Sequence, residues 1–398
     1  MSSWLGKSLV LEIERVAHGG HFIAHHEGRV IFVSGALPGE TVRVEVTKDT
    51  EAKFCFAQVA EVMSASPHRV PHFWEAAARG AGGAEFGHIR LDFQRELKRQ
   101  VLVESMSRFA GLETDVQVTA LAGDEESSGL HYRTRLQLQA KAGQVGVMRA
   151  ASEELVPVTN HPLAVEAIDN CSWVATPPIA DGRFSLWVDS TGEVGWQSGA
   201  QFGGPSQLVQ RVRDREFVLT PGTFWQAHRA APELLFGWVT EHLRTITREQ
   251  NPTSILELYS GAGLFTAAIL DAVNSSDCRI TSVERSQQAV GDAVRSLENP
   301  DDVEFWVGDV LEYLKRKRPT ADLVVLDPPR SGASGKVTEQ LLRAAPKSIL
   351  YVACDPVALA RDAGNLLKAG YRIVDLQAAD MFPHTHHFET LVRFDLLQ

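Results

Sequence analysis

Cysteine is scarce in this chain. Among 398 residues there are four, at positions 55, 171, 278 and 354, and no two lie close enough to suggest a metal cluster or a disulfide framework. That scarcity excludes a small disulfide-stapled fold and points to a reducing compartment, the cytoplasm. No run of about 18 apolar residues occurs, so no membrane span is expected. Residues 1–20 carry no basic stretch leading into an apolar one, so no secretory leader is expected either. A basic excess is also missing, the formal net charge being −11. Residues 1–110 are neutral, with 13 Lys and Arg against 13 Asp and Glu, while the remainder holds 26 against 37. This acidity argues against indiscriminate polyanion binding, yet phosphate contacts need only a local basic strip, so an RNA partner stays open. The length exceeds one domain of roughly 100–200 residues, and 44% apolar content suffices for two or three cores.

What is present falls into three stretches. Residues 8–62 show β-branched runs, Val30–Val33, Thr41–Val46 and Phe56–Val62, separated by Gly19-Gly20 and Leu37-Pro-Gly-Glu40. Alternation of period two between Gly and Pro turns predicts a small closed β-barrel over 1–64. Residues 65–219 read as a mostly β central domain, within which 85–110 carry a charged helical pattern expected to pack on the C-terminal domain. In the central stretch Arg133, Arg135, Arg211, Arg213 and Arg215 recur at i, i+2, a spacing that on a strand places side chains on one face. Such a face can bind phosphates, and its plainer reading is a solvated sheet surface.

From about residue 250 the pattern becomes strand, Gly-rich loop and helix. Strands are predicted at 254–258, 280–284, 303–307, 322–326 and 348–352, with two more after a helix at 356–368, and helices at 264–270, 286–297, 310–316 and 336–344. This alternation predicts a doubly wound, mostly parallel α/β sheet of seven strands over 220–398. Its first loop, Tyr259-Ser-Gly261-Ala-Gly263, lacks the third glycine of a dinucleotide fingerprint. Glu284 ends the second strand and Asp309 follows the third. The arrangement resembles class I S-adenosylmethionine (SAM) methyltransferases, which implies a carboxylate on the ribose hydroxyls and another near the adenine. Asp327-Pro-Pro-Arg330 follows the fourth strand, and its prolines hold the loop extended so that Asp327 faces the crevice.

Three segments carry a more specific resemblance. Leu326-Asp-Pro-Pro-Arg-Ser-Gly332, Tyr351-Val-Ala-Cys-Asp-Pro356 and Asp380-Met-Phe-Pro-His-Thr-His-His-Phe-Glu389 are similar to the signatures of the bacterial RNA uridine-5 methyltransferases that act on transfer and large-subunit ribosomal RNA. The N-terminal barrel, with its Pro-Gly-Glu turn, resembles the oligonucleotide-binding-type TRAM domain attached to RNA-modifying enzymes. The resemblance implies Cys354 as nucleophile and Glu389 as general base. It also implies Gln226, Tyr259, Gly261, Gly263, Glu284, Asp309 and Asp327 around SAM and the target base, and Arg330 on the substrate. The implied partner is RNA, ribosomal before transfer, with no membrane and no obligate protein partner.

The departures are equally specific. Many relatives carry an iron–sulfur cluster, and here the matching positions hold Ala81, Ala84 and His161, so no cluster and no metal are expected. Leu264 and Asp355 also depart from the family pattern, Asp355 replacing the usual Asn. Cys55, Cys171 and Cys278 read as packing residues, Lys315–Arg318 as a solvated helix end, Trp225 as core or RNA contact, and His384, His386 and His387 as a loop shaping the Glu389 site. Two other functions fit the fold: an RNA-binding protein without catalysis, and a methyltransferase acting on another base or a small molecule.

Overall fold

The computed structural model describes residues 3–50, 53–149, 152, 154–273 and 278–397. The N-terminal unit is built from β1 (Ser8–Glu12), β2 (Arg15–Val16), β3 (Phe22–His26), β4 (Arg29–Ser34), β5 (Thr41–Asp49) and β6 (Phe54–Ser64), in the order β1-β5-β6-β4-β3-β2. On β5, Val42, Val44 and Val46 alternate inward and pack with Phe22, Ile31, Val33 and Leu37 in one core. The two end strands, β1 and β2, are not paired with each other, so the barrel wraps its core without a complete hydrogen-bonded ring. At the Pro-Gly turn Gly39 takes φ +81°, and the buried Glu40 accepts from Leu37 N and from Arg69 Nε and Nη2 at 2.6 and 2.7 Å, tying barrel to linker.

After the short α1 (Glu75–Ala78), α2 spans Leu91–Ser105 and ends in a π-helical turn, Met106–Ala110. The predicted helix over 85–110 is thus shorter: residues 85–90 form turns, and Ile89 bridges Arg69 as an isolated β pair. Leu97 of α2 enters the barrel core while Leu102 and Met106 enter that of the catalytic sheet, so this helix is the strut between them. The π turn crosses a later helix at Gly364, where a Cβ would lie 2.6 Å from Phe109 O.

Next come β7 (Val118–Ala120) and a six-stranded sheet, order β10-β9-β8-β11-β12-β13. Its strands are β8 (Arg135–Lys141), β9 (Gln144–Met148), β10 (Leu155–Pro157), β11 (Gly182–Val188), β12 (Val194–Ser198) and β13 (Gln201–Gly203), with short helices α3 (Glu166–Asp169) and α4 (Ser172–Ala175). A hairpin follows, β14 (Leu208–Val212) and β15 (Arg215–Leu219). Its Leu208, Val212, Phe217 and Leu219 pack into the core of the catalytic sheet, which Trp187 of β11 also joins, while Ser190, just past β11, donates to Val209 O at 2.8 Å. The five arginines do not form one face. Arg213 sits in the hairpin turn at φ +53°, which breaks the alternation, and Arg211, Arg213 and Arg215 pair with Glu216, Glu233 and Asp271.

The catalytic unit runs α5 (Ala231–Gln250), β16 (Ser254–Leu258), α6 (Leu264–Ala272), β17 (Arg279–Glu284), α7 (Gln287–Ser296), β18 (Val303–Val307), α8 (Val310–Lys317), β19 (Leu323–Leu326), α9 (Ser334–Ala344), β20 (Ser348–Ala353), α10 (Pro356–Lys368), β21 (Tyr371–Asp380) and β22 (Glu389–Leu396). The sheet order is β18-β17-β16-β19-β20-β22-β21-β7. The seven expected strands are all present, and β7 adds an eighth, parallel to β21. Successive residues of β19 feed opposite faces: Leu323 and Val325 join one core, Val324 and Leu326 the other. This is the double-sided burial that makes such strands continuously apolar.

Candidate active site

The first half of the site forms where β16 gives way to α6. Tyr259, Gly261 and Gly263 all adopt positive φ, +62°, +54° and +87°. At Gly263 a Cβ would lie 2.9 Å from that of Ala293, so a side chain there would push α7 away from the loop. Glu284 braces this turn, accepting from Gly261 N at 3.1 Å and from Ser286 N at 2.7 Å. Asp309 caps α8, accepting from Glu312 N at 3.0 Å. Tyr259, Gly261, Glu284 and Asp309 line a cleft of about 570 Å³ together with Gln226, Leu264, Asp327 and Pro329, whereas Gly263 lies behind this wall, against α7. Two carboxylates, from Glu284 and Asp309, and the carboxyl group of Asp327 border it against one arginine, Arg285. That balance suits a cationic ligand such as a sulfonium and opposes a pyrophosphate, so the residues fit SAM.

The second half is set by strand register. β20 pairs antiparallel with β22, Ala353 opposite Thr390, and one further step brings Cys354 opposite Glu389. β19 lies on the other side of β20, Leu326 beside Tyr351, which brings Asp327 to the same edge. Residues far apart in sequence thus meet because three adjacent strands end together. Glu389 is buried, and its Oε1 has no hydrogen-bond partner. Burial and then the neighbouring Asp327 hold the Glu389 carboxyl well above the usual carboxylate range. Burial raises Asp327 likewise, to about 7. The Cys354 thiol is pushed up to about 12, by burial first and then by Glu389 and Asp327, with Arg330 opposing them. A protonated thiol therefore faces two carboxyl groups that retain protons unusually strongly.

Arg330 Nη2 donates to His387 Nε2 at 3.3 Å, and burial holds His387 neutral, its pKa lowered to about 3. The other loop histidines go elsewhere. His384 Nε2 donates to Ser128 O at 2.9 Å, and His386 pairs with Glu85. Trp225 is a core residue against Phe217, ring centroids 5.0 Å apart. Lys315, Arg316 and Lys317 close α8, the latter two over the Trp306 ring.

At the segment that resembles a cluster loop, Ala81 and Ala84 are buried with Trp74, whose ring lies 4.6 Å from that of His161. Two alanines carry no metal donor, so these residues do not fit an iron–sulfur cluster; packing of Trp74 on His161 occupies the region. Beside it opens a second cleft, of about 580 Å³, lined by Arg133, Arg135, His161 and Trp187. It shares the wall Gly222–Trp225 with the first cleft. Arg135 Nη1 donates to Thr223 O at 2.6 Å, while its Nε and Nη2 are buried without partners. Sequence reasoning singled out these two arginines, and only the fold separates them from Arg211–Arg215. It had no signal for His18, which comes from the barrel to within 3.1 Å of Asp355.

Comparison with known proteins follows the same division. Residues 4–60 match the TRAM domain family, and residues 310–395 match the tRNA (Uracil-5-)-methyltransferase family. An uncharacterized RNA methyltransferase of Bifidobacterium longum is 33% identical over 96% of this chain and 96% of its own length. One from Streptomyces avermitilis is 34% identical over 97% of each. In fold, the chain is similar to the Pyrococcus abyssi tRNA (uracil-54, C5)-methyltransferase crystallised with S-adenosyl-L-homocysteine, with a TM-score of 0.70 and 22% identity over 96% of this chain and 99% of that one. Sharing a third of its residues with such relatives along nearly its full length, and both family segments besides, the chain belongs to the TRAM-containing RNA methyltransferases of the tRNA (uracil-5-)-methyltransferase family.

Proposed function

We propose that this protein is a SAM-dependent RNA methyltransferase of the cytoplasm that converts a uridine of ribosomal or transfer RNA to 5-methyluridine. One observation carries the reading: Cys354, Glu389 and Asp327 converge at the edge of the sheet, beside a cleft bordered by carboxylates. Uracil C5 is too poor a nucleophile to be methylated directly, and the thiol–carboxylate pair meets that need. Cys354 loses its proton to solvent, and its thiolate adds to C6, breaking the C5–C6 double bond and moving its electrons toward C5 and O4. SAM would be held along Tyr259, Gly261, Glu284 and Asp309 and, when bound, would supply an electrophilic methyl group. With C5 methylated, the Glu389 carboxylate removes the C5 proton, the double bond re-forms, and Cys354 leaves as thiolate. Arg330, beside the nucleophile, offers a donor toward the uracil or its phosphate.

The RNA half of the proposal is supported by the barrel and by the second cleft. Buried guanidinium donors without partners are costly unless an anion meets them, and a phosphodiester next to the target nucleotide fits Arg133 and Arg135. A base in folded RNA must be unstacked to reach Cys354, which requires such grips on either side.

The test is methylation of total RNA from a strain lacking the protein, with 5-methyluridine mapped against the parent. Cys354→Ala should lower the rate by roughly a thousandfold or more. Glu389→Gln should accumulate a covalent protein–RNA adduct that survives denaturing gels. An active Cys354→Ala enzyme would sink the mechanism, and unchanged 5-methyluridine in the deletion strain would redirect the search to another base.

A further inference from the structure

The barrel reaches the catalytic edge itself. Ala17 and His18 form one side of a hollow of about 150 Å³ whose other side is Arg330, Cys354, Asp355 and His387. His18 Nε2 is 3.1 Å from Asp355 Oδ2. The other oxygen of Asp355 accepts from Ala358 N at 2.8 Å, capping α10. Approach at this seam is close: a Cβ on Gly20 would stand 3.0 Å from His386 Nδ1. His386 in turn is anchored by Glu85 through its backbone N at 2.9 Å and through its ring.

We propose that His18 is a positioning residue for the nucleophile. Through its 3.1 Å contact with Asp355 it fixes the cap from which α10 starts, and so fixes the backbone that aims Cys354 Sγ. The barrel then completes the active site in addition to holding RNA. The chemistry gives a reason for such a tie. Asp355 adjoins a thiol that must ionise, and its charge is one of those opposing that ionisation. Engaged by the α10 amide on one oxygen and by the imidazole on the other, the carboxylate is held in one orientation and satisfied there.

This inference rests on Cys354 being the nucleophile, and its test separates the two. In the full-length protein, His18→Ala, His18→Gln and Cys354→Ala are compared for thermal stability, kcat and KM on RNA. Alkylation of Cys354 by iodoacetamide without RNA is followed on its peptide by mass spectrometry. His18→Ala should reduce kcat by about ten- to a hundredfold, the scale expected of a misplaced reacting group, with KM changed by less than about threefold. Cys354 alkylation should change in parallel. His18→Gln, which keeps an N–H donor, should restore most of kcat. A folded His18→Ala protein with normal kcat, or one whose loss lies only in KM, overturns the proposal. So does a loss that His18→Gln leaves unrepaired and that tracks a fall in melting temperature. If Cys354→Ala is inactive while His18→Ala is normal, only this inference fails; if Cys354→Ala is active, the nucleophile assignment fails whatever His18 does.

Discussion

Glu389 has two duties that pull its proton affinity in opposite directions. It must sit buried beside Cys354, which raises its pKa, yet it must be ionised when the C5 proton comes off. The sign follows: the carboxylate fraction, and with it the rate of adduct resolution, should climb as pH rises through the raised pKa and then level off. Asp327→Asn removes the second cause of that raise and should move the rising limb to lower pH. Single-turnover decay of the covalent adduct, measured from pH 5 to 9, checks both, since it isolates the step after the thiol has added. A limb that stays in place in Asp327→Asn would assign the titration to another group. The identities of these residues were legible in sequence, because Tyr351-Val-Ala-Cys-Asp-Pro356 and the Phe382–Glu389 segment are distinctive strings. Their adjacency was not, since it depends on the β20–β22 register. Still less legible was the His18–Asp355 pair, whose partners stand over 300 residues apart with no local pattern to link them.

At the scale of elements, legibility tracked the strength of the local pattern. The predicted strands at 254–258 and 303–307 have the observed bounds, because apolar runs between breakers leave little choice of ends. β7 went unpredicted: three residues, Val118–Ala120, carry no periodicity and become a strand only by pairing with Ala378–Asp380. The helix over 85–110 was overextended because turns 85–90 share its apolar spacing, and Gln94 Nε2, donating to Ile89 O at 2.8 Å, secures the break. β16 carries a further consequence. Its Glu257 is fully buried, accepts from Thr266 Oγ1 at 2.5 Å, and is raised by burial to about 7. A carboxyl that holds its proton more tightly when folded lends stability below its unfolded pKa and loses it as pH rises toward the folded one. The loss should reach about 3 kcal/mol by pH 8. Glu257→Gln, which cannot ionise, should therefore stabilise the protein at pH 8 and not at pH 4, as read by urea denaturation at both.

For the whole molecule, α2 decides whether the units act as one body. It contributes to the barrel core through Leu97 and to the catalytic core through Leu102, and its Lys98 Nζ donates to Asp380 Oδ1 at 2.5 Å and to Phe382 O at 3.1 Å. Both charged side chains are fully buried. Lys98→Met strands the Asp380 charge and should cost about 3–5 kcal/mol, whereas Lys98→Met with Asp380→Leu should recover most of it. Denaturant midpoints of the three proteins measure this; equal losses in single and double variants would mean that the helix is held by packing alone. The order of the chain around the same strut also sets what can change over generations. β7 joins the catalytic sheet before the central sheet begins, and the β14–β15 hairpin packs on it after the central sheet ends. The central sheet is thus an insertion into the methyltransferase fold, opened after Ala120 and closed before Leu208. A change of length in its loops leaves untouched the β20–β22 register that aligns Cys354 with Glu389.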